Sequence, residues 1–90
     1  MRFEEQENRI CLLSPEGKTL AEVTFAPGKD GLELDHTFVD PSLAGQGIAG
    51  KLMEAAVDRL RRERRKAKIS CSYAVYWFEK HPEYRDVVAE

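Results

Sequence analysis

The sequence predicts an α+β fold: a small, mostly antiparallel sheet with one parallel strand pair joined by a long helix, and a second helix toward the C-terminal end. Two changes of pattern carry this expectation. Residues 9–39 are short apolar segments separated by Pro- and Gly-containing turns, the mark of strands joined by tight connections. From about residue 46 the apolar positions repeat with the period of an amphipathic helix, and a further strand-like and helix-like pair follows. The chain has 90 residues, 42% hydrophobic and 33% charged, which fits one globular domain over residues 1–90 and leaves no room for two cores.

Residues 9–13 form the first candidate strand, closed by Ser14-Pro15-Glu16-Gly17, where Pro presets φ and Gly relaxes it. Residues 19–26 form the second, with Ala21, Val23 and Phe25 alternating on one face. Pro27-Gly28-Lys29-Asp30-Gly31 turns the chain. The third strand, residues 32–39, is expected to place Leu34, His36 and Phe38 on one face and Glu33, Asp35 and Thr37 on the other. Short turns make these three an antiparallel meander.

Over residues 46–65, Ile48, Ala49, Leu52, Met53, Ala56, Val57 and Leu60 gather on half of a helical wheel, with charged residues opposite. Residues 67–70 read as a short last strand and residues 72–80 as a second helix, which Pro82 stops. A helix linking two strands of one sheet favours a right-handed crossover, so the last strand should lie parallel to the third.

Fourteen basic residues against sixteen acidic ones give a net charge of −2, so no overall field calls for nucleic acid or a membrane. No apolar run is long enough to span a bilayer, and the charged start Met1-Arg2-Phe3-Glu4-Glu5 does not read as a signal peptide. The reading therefore expects a cytoplasmic, monomeric protein. Cys11 and Cys71 are expected as free thiols in a reducing compartment, and two cysteines with two histidines at no short ligand spacing argue against structural zinc. Residues 59–68 are rich in Arg and Lys, but Arg61 and Arg62 follow Asp58 by a turn, a helix C terminus favours cations, and no aromatics interleave. A solvated helix end is expected there rather than a nucleic-acid interface.

The most informative segment is Ala44-Gly45-Gln46-Gly47-Ile48-Ala49-Gly50-Lys51-Leu52. It opens the long helix, where unpaired N–H groups and the helix dipole favour an anion and glycines let a phosphate approach the backbone. Gly45, Gly47 and Gly50 satisfy G-x-G-x-x-G, but Asp40-Pro41-Ser42-Leu43 intervenes after the strand and one βαβ unit is too little chain for a dinucleotide fold. Gly45 to Lys51 approaches a P-loop, yet Leu52 stands where Ser or Thr should hold Mg²⁺. A third reading is the coenzyme-binding loop written Q/R-x-x-G-x-G/A, which Gly47 and Ala49 match behind a strand and an acidic-Pro turn.

On this loop the chain resembles the GNAT superfamily of acetyl-CoA-dependent N-acetyltransferases, and its compact single-domain branch in particular. The resemblance runs from about residue 32 to 88. It rests on His36-Thr37-Phe38-Val39, Gly45-Gln46-Gly47-Ile48-Ala49, Cys71-Ser72-Tyr73 and Lys80-His81-Pro82-Glu83-Tyr84 in that order. Ala44 departs from the usual Arg or Gln and removes one side chain beside the phosphates; Ile69 departs from a proline common before the cysteine. The resemblance implies that acetyl-CoA or coenzyme A binds, its pantetheine arm along the strand ending at Phe38-Val39 and its pyrophosphate on the amides of Gly45, Gln46, Gly47, Ile48, Ala49 and Gly50.

Acetyl transfer from a thioester to an amine requires deprotonation of the amine, a donor for the developing oxyanion and a proton for the leaving thiolate. Cys71 stands where a strand meets a helix N terminus, which favours a reactive thiol, and the resemblance places it near the coenzyme sulfur. His36, flanked on its expected face by Leu34 and Phe38, reads equally as a core histidine or, by the resemblance, as a base or thiol partner. Tyr73 and Tyr76 lie in the second helix, and the family's use of a tyrosine to protonate the thiolate makes Tyr73 a catalytic candidate, against packing with Trp77 and Phe78. Cys11 and Thr37 are expected to be structural, and His81 to end the helix. The expected function is acetyl transfer to an amine whose identity the sequence does not name, small molecule or protein. A coenzyme-binding or regulatory module without turnover and a basic-helix nucleic-acid binder are the rivals.

Overall fold

The computed structural model describes residues 2–28 and 31–89. Five strands, β1 (Glu4–Gln6), β2 (Arg9–Leu13), β3 (Thr19–Gly28), β4 (Gly31–Val39) and β5 (Ala67–Ile69), form one sheet in the order β1-β2-β3-β4-β5. The first four are antiparallel neighbours and β5 runs parallel to β4, as the crossover argument required. The helices are α1 (Ile48–Glu63) and α2 (Ser72–Lys80), with 3₁₀ segments at Pro41–Leu43 and Pro82–Val87.

A single core lies between one sheet face and the two helices. Ile10, Ala21, Val23, Phe25 and Leu34 supply the sheet side, and the apolar stripe of α1 is buried along Ile48, Leu52, Met53, Ala56, Val57 and Leu60. Ala74, Trp77 and Phe78 bring α2 into the same cluster. Both helices therefore cover one face of the sheet, and the outer face carries Arg9, Glu22, Thr24 and His36 instead.

Several boundaries differ from the sequence reading. α1 starts two residues later than expected because Gly45 and Gly47 both have positive φ, 82° and 71°, so the glycines form the approach to the helix rather than its first turn. It ends at Glu63 because Arg64 adopts the left-handed conformation, with φ 55°, and closes the last turn with bonds from its own N–H to Arg61 and from Arg65 N–H to Leu60. Pro27 and Gly28 belong to β3 and Gly31 to β4, paired Gly28 to Gly31; Lys29 and Asp30 of the expected turn lie outside the described residues. β1 was not anticipated, being short and mostly charged.

The consequential difference is a β-bulge. Thr24 pairs with His36 but Phe25 pairs with Leu34, so Asp35 is an extra residue in β4. One added residue reverses the alternation beyond it. Leu34 is fully buried, yet His36 and Phe38, expected on its face, turn to the outer side, and Thr37 and Val39 take the inner one opposite Val23 and Ala21.

Candidate active site

The site begins where β4 and β5 separate. Their pairing covers only Leu32–Leu34 against Ala67–Ile69. The N–H groups of Ser70 and Cys71 then both donate to the Leu34 carbonyl, at 3.0 and 3.1 Å, and the chain leaves the sheet to start α2. β4 continues through Val39, paired with β3 on one side only. From His36 to Val39 its other edge faces no strand among the described residues, so an extended ligand can bond it as a further strand would.

That open edge leads to the start of α1. Asp40 accepts a bond from Ser42 N–H at 2.9 Å, which holds its carboxyl below the usual carboxylate range and fixes the 3₁₀ turn. Ala44 and Gln46 N–H groups are used within the loop, on Pro41 and Leu43. Those of Gly45, Gly47, Ile48, Ala49 and Gly50 have no acceptor among the described residues, and no side chain caps Gly47. Five free amides at the positive end of a sixteen-residue helix suit a phosphate-bearing group, so the expected coenzyme fits this backbone.

Cys71 sits at the mouth of the split. Its Sγ lies 3.5 Å from the Thr37 hydroxyl. Burial pushes the thiol up, but the Thr37 hydroxyl and the backbone N–H groups of Ala74, Tyr73 and Thr37 outweigh it, leaving Cys71 below the ordinary thiol value. Cys11 is the opposite case: it is fully buried on β2 and burial raises its thiol. Both cysteines are free.

The structure does not bring His36 to Cys71. The imidazole is on the outer face, 52% exposed, with Nε2 3.4 Å from the Glu22 carboxylate, while Thr37, one residue on, points inward to the thiol. The bulge at Asp35 is the cause, and it corrects two expectations together: His36 is not among apolar neighbours, and Thr37 is the thiol's partner rather than a bystander. Tyr73 is the second residue of α2, beside the start of α1, and burial raises its phenol, so it keeps its proton as a donor must. Phe38, 37% exposed, and Val39 lie on the open stretch of β4 as expected. His81 ends α2 and bonds the Trp77 carbonyl through Nδ1 at 2.8 Å.

The basic run is only partly a solvated helix end. Arg62 pairs with Asp58 at 3.0 Å and Arg61 with Asp86 at 2.7 Å, but Arg59 is largely buried and bonds the carbonyls of Gln6 and Glu7. No group of three or more His, Cys, Asp or Glu among the described residues could hold a metal, and no helix among them is long and apolar enough to cross a membrane.

An antiparallel sheet ending in a splayed parallel pair, with a helix N terminus of free amides beside the split, defines the N-acetyltransferase class of fold. Residues 9–87 match the family model for GCN5-related N-acetyl-transferase, and the chain belongs to that family. A GCN5-like protein from Staphylococcus aureus, solved by NMR in solution, is 34% identical; the match covers 98% of this chain and 87% of that one, with a TM-score of 0.78. No curated protein matches the sequence. Family and fold make acetyl transfer the general chemistry of this domain.

Proposed function

We propose that the protein binds acetyl-CoA along the open edge of β4 and over the start of α1, and transfers the acetyl group to an amine. The observation that carries this reading is the continuity of three features: the stretch from His36 to Val39 with no strand on its outer edge, the free amides of Gly45, Gly47, Ile48, Ala49 and Gly50, and the Cys71 thiol where the strands part. When bound, the coenzyme supplies an acetyl group held as a thioester. Cys71, with its lowered pKa, is the chain's nucleophile for that group: its sulfur takes the acetyl carbon as the coenzyme thiolate leaves, and an amine then takes the acetyl from Cys71 and releases a proton. Tyr73 keeps a phenolic proton to give the departing thiolate.

One observation favours a second reading, a coenzyme-binding module without turnover. The base offered by the sequence, His36, is engaged with Glu22 on the other sheet face.

The experiment is the melting temperature across a titration of coenzyme A, with NAD and ATP as controls. A ligand at about a hundred times its dissociation constant adds about 2.7 kcal/mol, a shift easily seen in a domain this small. A rise with coenzyme A alone supports the assignment, and no rise with any of the three overturns it. Intact mass after incubation with acetyl-CoA then separates the two readings. An acetyl adduct absent from Cys71→Ala and discharged by an amine supports transfer through the thiol, and an adduct that persists in the variant removes Cys71 from the route.

A further inference from the structure

The free amides of α1 have a neighbour on α2. Gly50 has no side chain, and a Cβ there would lie 3.5 Å from Trp77 Nε1 and 4.0 Å from the Tyr73 hydroxyl. Both groups thus lie beside α1 at its third residue, and neither has a hydrogen-bond partner among the described residues. For the tyrosine, only partly buried, water suffices. The indole is different: Trp77 as a whole is only 5% exposed, so its N–H has little access to water.

Two facts bear on where this N–H can find an acceptor. Among the described residues no fully buried side-chain nitrogen or oxygen lacks a partner, so Trp77 Nε1, which has none, keeps its sliver of access to solvent beside Gly50. The ring is also held in place: it stacks on His81 at 4.2 Å and on Tyr84 at 5.3 Å, and Phe78 meets it edge-on at 5.1 Å. The Nδ1–H of His81 bonds the Trp77 carbonyl as well, tying that histidine to the same turn. A rotation to aim the N–H elsewhere would break these stacks.

The groups gathered here are of one kind. The amides of Ile48, Ala49 and Gly50, the indole N–H and the phenol O–H can all donate, and none of the amides or the indole can accept. Such a set complements an anionic oxygen. A donor with little access to water gains from an acceptor, and one placed at the positive end of a helix gains most from a charged acceptor. We infer that the indole N–H of Trp77 is a coenzyme-binding donor, which completes from α2 the phosphate pocket that α1 opens and bonds an oxygen of the coenzyme's diphosphate. This rests on the acetyl-CoA reading above and adds to it a residue that the sequence places in the core.

Trp77 is the only tryptophan, so a ¹⁵N-labelled sample shows a single indole N–H signal. Coenzyme A is titrated into the native protein, and pantetheine, which lacks the diphosphate, is titrated separately. The expected result is that the indole signal moves along the same saturation curve as the amides of Ile48, Ala49 and Gly50 with coenzyme A, and stays in place with pantetheine. If those amides move and the indole does not, the inference falls while the coenzyme reading stands. If pantetheine moves the indole as far as coenzyme A does, the acceptor is not the diphosphate and the assignment falls. If nothing moves with coenzyme A, the coenzyme reading itself fails. Trp77→Phe keeps the ring and deletes the donor; by calorimetry its coenzyme A affinity should drop about tenfold, the loss of one bond to a charged group. Unchanged affinity in a folded variant contradicts the inference, and the native titration decides the matter if the variant does not fold.

Discussion

At the scale of single residues, the chemistry depends on which neighbour each thiol meets. Cys71 has a helix start and a hydroxyl; Cys11 is fully buried on β2, opposite Glu4 and Glu22. Iodoacetamide should therefore modify Cys71 in the folded protein and Cys11 only after unfolding, because the thiolate is the reactive form. Thr37 is a testable part of this. Its hydroxyl favours the charged sulfur, so Thr37→Val should move the pH midpoint of Cys71 alkylation upward, toward the ordinary thiol value, and slow the reaction at neutral pH. A midpoint that stays put would mean that the helix amides alone hold the thiolate. Position explains what the sequence revealed here and what it hid. Cys71 before a helix is a local pattern and can be read directly, as can Tyr73 two residues on. The pairing of Cys71 with Thr37 spans 34 residues and depends on the bulge at Asp35, and nothing in Leu34-Asp35-His36-Thr37 marks which residue is the extra one.

At the scale of elements, α1 was the most legible because its apolar stripe is a repeating local signal set by the core it faces. Its ends follow different rules. The start is displaced by two glycines with positive φ, and the stop is made by a residue that disfavours the conformation it adopts. Arg64 occupies the left-handed region at φ 55° and ψ 44°, where a Cβ crowds the following carbonyl at a cost of about 1 kcal/mol. Helices usually place glycine there. Arg64→Gly should thus raise stability by about 1 kcal/mol, several degrees in melting temperature for a chain of this size, and Arg64→Val should lower it. An unchanged or lower melting temperature for the glycine variant would show that the arginine side chain contributes more than its backbone costs. The same arithmetic explains β1: three residues with little apolar character carry no local signal, and their strand exists because of what the rest of the chain does to them.

At the scale of the whole molecule, that dependence has one centre. Arg59 projects from the C-terminal part of α1, 12% exposed, and its guanidinium bonds the carbonyls of Gln6 and Glu7, each at 2.6 Å. It also pairs with Glu63 at 3.1 Å and lies 4.9 Å from the centre of the Phe25 ring. The fork therefore holds the β1–β2 turn to the helix across more than fifty residues of sequence, and Arg62 reinforces it through Glu5 at 2.6 Å. Ninety residues bury a modest core, so one such tie is a sizeable part of total stability. Arg59→Ala removes the donor from two turn carbonyls and should cost about 2–3 kcal/mol, lowering the melting temperature by about 10 °C or more. Arg59→Lys retains the charge but cannot bond two carbonyls with one planar group, so it should recover only part of the loss. Hydrogen exchange locates the effect: protection should fall first at Glu4–Gln6 and the facing residues of β2, while α1 and the split between β4 and β5 keep theirs. Coenzyme A binding should survive in the alanine variant at a temperature where it is folded, because the tie lies at the opposite edge of the sheet from the split. A uniform loss of protection would instead make Arg59 a support of the entire core, and an unchanged melting temperature would leave the turn held by its strand pairing alone.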